Sequence, residues 1–326
     1  MISPPGEDAE KKQRRISYRK AIEDAECGAF CLGGSPRGEW YSGSRREAES
    51  DRKGRPQRAI KRTTAEKDQK DDRRERSRTR KITDEEDKKM KKFIMDKDFT
   101  DLFPQAKIGI LVCEGIDGKV KDENRYMPYL AEAMQACKKH IANLEFTANP
   151  VIATWREAFR KFKTKKGARC SIEAMLKRVF NGNEIGSIIP LVDIYNGISL
   201  TYGVPIGGED IDKFDGDVHL TLANGSEEFV TYGSDKSEPP YPGEVVYKDN
   251  AGAICRCWNW RESVRTMLTE ETTNALMIIE TVGGEEADAV LEEALDALAQ
   301  EIQKELGGTV RRHVASAEDP QVEILA

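Results

Sequence analysis

The sequence lacks the features of a membrane-spanning or a disulfide-stabilised secreted protein. It has no run of about 18 apolar residues, the length that crosses a bilayer as a helix. Its first residues, MISPPGEDAEKKQRR, have no apolar centre of the kind found in signal peptides. The seven cysteines are odd in number and irregularly spaced, which is typical of reduced thiols in a cytosol. The sequence therefore predicts a cytoplasmic protein with no membrane partner.

Motifs for metal binding and covalent catalysis are also missing. Cys255 and Cys257 lie two residues apart on a predicted strand, but no second ligand pair follows, as a zinc site would need. The three histidines, His140, His219 and His313, are scattered. There is no G-x-S-x-G motif, and GVPIGGED does not have the G-x-G-x-x-G order of a nucleotide-binding loop. We therefore expect neither a metal nor a cofactor.

Residues 1–89 contain little from which a core could form. They include only seven residues of the types Leu, Ile, Val and Phe. Such a segment cannot bury enough apolar surface to offset its chain entropy, so we predict a disordered, mixed-charge extension. Met90 opens MKKFIMDKDF, a short polar start followed by apolar residues. We expect residues 1–89 to lie upstream of the functional start and to contribute nothing to activity.

Charge divides the chain at the same place. Residues 1–89 carry 25 Lys and Arg and 19 Asp and Glu, which leaves 27 and 39 of the chain's 52 and 58 for residues 90–326. The net charges are thus +6 and −12, and so acidic a body disfavours non-specific binding to nucleic acid, so we expect no DNA partner. Any RNA contact requires a local basic patch. The loop KFKTKKGARC supplies one, as either a solvated surface or a phosphate-binding patch, with Lys161, Lys163, Lys165, Lys166 and Arg169.

Hydrophobic periodicity predicts an α+β fold, one domain of mixed helices and β-hairpins over residues 90–310, followed by a flexible tail over 311–326. A buried strand is predicted at 107–116. Three- and four-residue spacing predicts five helices, at about 127–144, 151–162, 172–180, 187–203 and 285–306. Two hairpins are predicted, one turning at Asn224-Gly225 and the other at 249–252.

The stretch CRCWNWRE combines features of a core and of a polar pocket. On a strand, Trp258 and Trp260 would share one face and Asn259 the other. Each Trp could simply be packed in the core. A buried Asn, Arg and Glu together would be costly to leave unpaired, which favours a pocket lined by Asn259, Arg261 and Glu262.

Three segments in order resemble a known family: SIIPLVDIYNGISLTYGVPIGGEDIDKFDGD, GEVVYKDNAGAICRCWNWRES and TEETTNALMIIE. They are similar to the tRNA-editing module of the phenylalanyl-tRNA synthetase β subunit, its third and fourth domains, and to free-standing proteins built on that module. The similarity covers roughly Met90 to Val282. The matching positions are Val192, Asp193, Asn196, Gly203, Pro205, Asp210, Asp212 and Lys213. The sequence departs from the family at Gly207, where the synthetase has histidine.

The resemblance implies hydrolysis of the 3′ ester of a mischarged aminoacyl-tRNA in trans, as part of translation quality control, without a metal or a side-chain nucleophile. Aminoacylation by this chain alone is not expected, because the synthetase's other domains and its catalytic partner are missing from the resemblance. The alternative is a non-catalytic module that binds an amino acid or an aminoacyl-tRNA. We predict catalytic roles for Glu262, Asn259 and Asn196. We predict substrate contacts for Asp193, Arg261, Trp258, Gly207 and Glu244, with Lys248 as a lesser candidate.

Overall fold

The computed structural model describes residues 90–119, 122 and 124–325. The predicted disordered extension over residues 1–89 lies outside the described residues. Within the described part of the chain, no helix is both long enough and apolar enough to cross a membrane.

The described residues form ten strands and six α-helices. The strands are β1 (Lys91–Met95), β2 (Lys107–Glu114), β3 (Ile206–Asp210), β4 (Val218–Leu222), β5 (Val245–Asp249), β6 (Gly252–Arg256), β7 (Arg261–Glu262), β8 (Asn274–Thr281), β9 (Thr309–Ala315) and β10 (Gln321–Leu325). The α-helices are α1 (Lys97–Leu102), α2 (Met127–Ala136), α3 (Pro150–Arg160), α4 (Ser171–Phe180), α5 (Pro190–Tyr202) and α6 (Glu285–Leu306). Short 3-10 helices lie at Cys137–Ile141, Phe146–Ala148 and Ile211–Lys213.

The strands of the described residues form two sheets. The six-stranded sheet has the order β10-β1-β4-β5-β6-β7, and the four-stranded sheet has the order β3-β8-β2-β9. β1 and β4 are parallel, and the other neighbours are antiparallel. The mixture of helices and largely antiparallel sheets confirms the predicted α+β class.

Helix α6 covers one face of the four-stranded sheet. Its buried positions, which include Leu291, Leu295 and Leu298, recur at the spacing of one helical face. Gly109 on β2 permits the close approach, because a Cβ there would lie 2.8 Å from the side chains of both Leu291 and Leu295. Strand β2 is accordingly buried along almost its whole length.

Trp258 anchors the aromatic part of the core. Its ring centroid lies 5.2 Å from that of Phe99, 4.6 Å from Phe103 and 5.1 Å from Trp155. The indole is fully buried, so packing dominates its role. This part of the core joins helices α1 and α3 to the turn after β6.

Two local predictions are wrong. Asn224-Gly225 does not join paired neighbouring strands, because β4 pairs with β5. The Glu227 carboxylate instead accepts hydrogen bonds from the N–H groups of Asn224 and Gly225, both at 2.9 Å, which holds the segment as a loop. The hairpin turning at 249–252 is confirmed, as β5 and β6 pair there.

The predicted strand through Cys257 and Trp260 is also wrong. Cys257 and Trp258 have φ values of 49° and 63°, so the chain turns sharply between β6 and β7. As a result the two indoles do not share a strand face: Trp258 enters the core, while Trp260 is half-buried.

The C-terminal segment differs from the predicted flexible tail over residues 311–326. Strand β9 pairs with β2, and β10 pairs with β1 at the edge of the six-stranded sheet. Val322 and Ile324 alternate with exposed residues and are buried, which is the pattern of a strand with one face on the core.

Candidate functional site

A cavity of about 530 Å³ lies where helices α4 and α5 meet strands from both sheets. Its walls come from α4, the segment before α5, α5 itself, strands β3 to β8, the turn before β7 and the segment after β7. Residues far apart in the chain are brought together here because β3 pairs with β8 while β7 pairs with β6.

Most of the predicted pocket residues line this cavity. They are Asn196, Gly207, Trp258, Asn259, Arg261 and Glu262. Helix α5 supplies Asn196, β3 supplies Gly207, and the remainder follow β6. The helix side and the hairpin side of the predicted site thus face the same space.

Asp193 is not among the residues that line the cavity. Its carboxylate oxygens accept hydrogen bonds from the Ser187 hydroxyl at 2.5 Å and the Ile188 N–H at 2.7 Å. Burial raises the pKa of Asp193 to about 6, against these two hydrogen bonds, which lower it. Asp193 thus fixes the segment that leads into α5, and that segment contributes Ile188 to the cavity wall.

Glu244 and Lys248 are also engaged in structural pairs. Glu244 is fully buried and accepts hydrogen bonds from Arg256 Nε at 3.1 Å and Nη2 at 2.8 Å. Lys248 Nζ lies 3.3 Å from Glu227 Oε1. Neither residue lines the cavity, which places both in the framework around it.

The structure adds two glutamates that sequence reasoning missed. Glu209 on β3 and Glu280 on β8 line the same cavity as Glu262 on β7. Their relative exposures are only 5% and 2%. Three carboxyl groups from three strands therefore line one cavity.

Glu280 is held by two donors. The Tyr247 hydroxyl donates to Oε1 at 2.7 Å, and Asn259 Nδ2 donates to Oε2 at 2.8 Å. Burial raises the pKa of Glu280 to about 7, although both donors act in the opposite direction. The Asn259 Oδ1 atom is buried and has no hydrogen-bond partner among the described residues, so it can accept a bond from a ligand.

Glu262 lies beside Gly207. A Cβ atom placed on Gly207 would contact only Glu262 Oε1, at 3.6 Å, so the glycine leaves open space next to this carboxyl group. Burial raises the pKa of Glu262 to about 7. The pKa of Glu209 is raised well above its ordinary range, first by burial and then by the negative charge of Glu262.

Cys255 is a thiol in the cavity wall, on β6. Burial, followed by the charges of Glu262, Glu209 and Glu280, raises its pKa well above the ordinary value. Because the thiolate is the nucleophilic form, this residue is poorly suited to covalent catalysis. The described residues contain no group of three His, Cys, Asp or Glu side chains arranged to hold a metal ion.

The basic loop lies between α3 and α4, and its lysines differ in their surroundings. Lys161 Nζ lies 5.2 Å from the Phe103 ring centroid, and Lys165 forms an ion pair with Glu238. Lys163 Nζ lies 5.8 Å from the centroid of another ring, that of Tyr241. Lys166 is exposed.

Comparison with protein families identifies the part of the chain that holds the cavity. Residues 154–300 match the B3/4 domain family. Every residue that lines the cavity, from Ser171 to Glu280, falls inside this segment. The match thus covers the whole cavity wall and a little under half of the chain.

Comparison with curated proteins found no match. Among solved structures, the chain is similar to an N-terminal fragment of the phenylalanyl-tRNA synthetase β subunit from Pyrococcus horikoshii. The identity is 15% and the TM-score is 0.37. The similarity covers 72% of this chain and 54% of that chain, so this protein spans about half of the fragment.

Proposed function

We propose that the protein binds the aminoacyl end of a mischarged tRNA in this cavity and hydrolyses the 3′ ester. The observation that carries the proposal is the convergence of Asn196, Asn259 and Glu262 on one enclosed space, together with Glu209 and Glu280. Ester hydrolysis requires a held substrate, an aimed water molecule and donors for the developing oxyanion, and such a cavity can provide all three.

The family match supports a tRNA-related role. The three segments that resemble the phenylalanyl-tRNA synthetase β subunit lie within the part of the chain that matches the B3/4 domain family, and that part contains the complete cavity wall. An aminoacyl-tRNA is therefore the substrate class that we assign to the cavity.

The carboxyl groups divide the work according to their hydrogen bonds and their pKa values. Burial and the charge of Glu262 raise the pKa of Glu209 well above its ordinary range, and burial raises the pKa of Glu262 to about 7. Glu262 and Glu280 both gain charge near neutrality, but Glu280 is already held by Tyr247 and Asn259. Glu262 therefore acts as the base for water or as the partner of the substrate ammonium group.

Amide and guanidinium groups supply the polar contacts to the ester in this proposal. Asn259 is oriented by its hydrogen bond to Glu280, which leaves its Oδ1 directed to a ligand. Asn196 on α5 and Arg261 on β7 face the same space and serve as donors to the carbonyl oxygen. Asp193 and Glu244 support the cavity through the segments that they hold.

One observation favours a second function, a binding module without turnover. The thiol in the cavity wall is kept protonated, and Glu262 is the only described group lining the cavity to which we assign base chemistry. If Glu262 solely binds an ammonium group, the cavity would retain an aminoacyl ester or a free amino acid without cleaving it.

A deacylation assay over a panel of mischarged tRNAs tests the proposal. We expect wild-type protein to release amino acid from at least one member. Glu262→Gln should slow release by about 100-fold, the scale of a lost acid–base group. Asn196→Ala should slow it by about 100-fold, the scale of a lost oxyanion donor. The matched control is Glu132→Gln, which changes an exposed glutamate on α2. Wild-type rates in both cavity variants would place the chemistry elsewhere.

A further inference from the structure

A second depression, of about 350 Å³, lies on the surface beside the basic loop. It is formed by the C-terminal half of α3, the loop residues 167–169 and the first turn of α4. Three arginines contribute to its wall: Arg156 and Arg160 from α3, and Arg169 from the loop. In a body whose net charge is −12, this is a local concentration of guanidinium groups.

Only one of these arginines is neutralised within the depression. Arg156 donates to Glu173 Oε1 from Nε at 3.1 Å and from Nη2 at 2.7 Å. Glu173 is 4% exposed, so this pair is fixed in the wall. A guanidinium group has five N–H donors, and the pair uses two of them, which leaves three for a ligand.

The other two arginines keep most of their donors. Arg160 Nη1 donates to Glu157 at 2.6 Å, but both side chains are largely exposed, and such surface pairs contribute little. Arg169 donates only to the Gly167 carbonyl, at 3.5 Å, and has no carboxylate partner among the described residues. Two guanidinium charges are thus available to an anion.

Helix α4 connects this depression to the cavity. Ser171, Ala174, Met175 and Arg178 line the cavity, whereas Glu173 lines the depression. At about 100° per residue, Glu173 lies roughly 150° around the helix from the centre of the cavity-facing set. The two sites therefore lie on opposite sides of α4, separated by about one helix diameter, 10–12 Å.

We propose that the arginine depression binds a backbone phosphate of the single-stranded RNA that carries the aminoacyl ester. Planar guanidinium groups bind phosphate oxygens in a bidentate manner and fix the backbone without reading sequence. With the ester in the cavity, a strand that passes over the N-terminal end of α4 reaches the depression within a few nucleotides. This inference rests on the proposed function, since it assigns the polymer attached to the substrate.

The test compares two double variants with the same change in charge. Arg160→Ala/Arg169→Ala removes the two available guanidinium groups and leaves the Arg156–Glu173 pair intact. Arg311→Ala/Arg312→Ala is the control, because β9 lies at the edge of the four-stranded sheet opposite β3. The probe is a fluorescently labelled single-stranded RNA that ends in CCA, titrated at several salt concentrations.

We expect the first variant to bind this RNA about tenfold more weakly, as for the loss of charged hydrogen bonds. The slope of log affinity against log salt should decrease in magnitude by about 0.7, the value for one phosphate on a single strand. The control should match wild type in slope. In deacylation the first variant should raise KM for aminoacyl-tRNA, while hydrolysis of a small amino-acid ester without RNA stays unchanged.

The inference would be overturned if both double variants bound the RNA with the same affinity and the same salt dependence. Continued release of amino acid from mischarged tRNA would in that case leave the proposed function standing. If the wild-type protein releases no amino acid but its RNA binding still depends on Arg160 and Arg169, the phosphate-binding role of the depression is supported and the proposed hydrolysis is wrong. If the depression bound polyglutamate in place of the RNA, its partner would be an acidic protein, and the inference of an RNA phosphate site would be overturned.

Discussion

Replacing Glu280 by glutamine should change how the stability of the protein depends on pH. Glu280 is 2% exposed, and its pKa is raised from 4.5 to about 7, mainly by burial. A raised carboxyl pKa means that the folded state favours the protonated form. The stabilisation is therefore complete below about pH 4.5 and is lost as the pH rises through about 7.

The magnitude follows from the pKa difference. A rise from 4.5 to about 7 corresponds to about 3 kcal/mol of unfolding free energy, most of it lost between about pH 5 and about pH 8. The Glu280→Gln side chain cannot ionise. The carbonyl oxygen of the new glutamine can still accept a hydrogen bond from the Tyr247 hydroxyl. Its NH₂ group can donate to the Oδ1 atom of Asn259, which has no other partner, once the Asn259 amide has rotated.

Urea unfolding at about pH 5 and about pH 8 measures this effect. From about pH 5 to about pH 8, the free energy of unfolding of Glu280→Gln should rise by roughly 2–3 kcal/mol relative to that of wild type. The unfolding free energy of Glu132→Gln should change with pH as that of wild type does. Contributions from Glu262 and Glu209 are present in every protein and largely cancel. An identical difference between Glu280→Gln and wild type at both pH values would refute the assignment of a buried, proton-retaining carboxyl group.

Further variants test the cavity and its support. Gly207→Ala should weaken ligand binding with little loss of stability, since its Cβ meets only Glu262 Oε1 at 3.6 Å. Gly252→Ala should instead cost about 1–3 kcal/mol in urea unfolding, because its φ is +143° and its Cβ would clash with the Glu228 carbonyl oxygen. Equal stability losses would contradict the open space assigned to Gly207. Arg256→Ala should cost about 3–5 kcal/mol, because it leaves the fully buried Glu244 carboxylate unpaired; a loss below about 1 kcal/mol would be inconsistent with that pair. The deacylation rate should rise with pH through about 7 as Glu262 ionises, and a flat profile from about pH 6 to 8 would remove it as the base.

Sequence periodicity was sufficient for elements with a clear local signal. Helix α5 has apolar residues at helical spacing, and the hairpin at 249–252 has a turn sequence that its flanking strands support. Asn224-Gly225 has an equally strong turn sequence, but the nearby Glu227 carboxylate satisfies its backbone N–H groups and β4 finds its partner much later in the chain. Local signals fail where a side chain competes for the backbone.

The cavity could be predicted only in part. Asn259 and Glu262 were found because a buried polar group is costly without a partner, which makes such clusters noticeable in the sequence. Asn196 was found through the family resemblance. Glu209 and Glu280 were missed because each lies near the end of an apolar or glycine-rich strand, and their shared place in the cavity wall depends on the long-range pairing of β3 with β8. A polar residue that continues a buried strand is the signal that could have identified them.

Turnover by the wild-type protein with mischarged tRNA in excess is the most direct test of the proposed hydrolysis. We expect one member of the panel to yield more free amino acid than there is protein, and we expect Glu262→Gln to abolish this excess while Glu132→Gln retains it. Tight binding without release from any mischarged tRNA, or turnover that Glu262→Gln leaves unchanged, would contradict a hydrolytic cavity centred on Glu262.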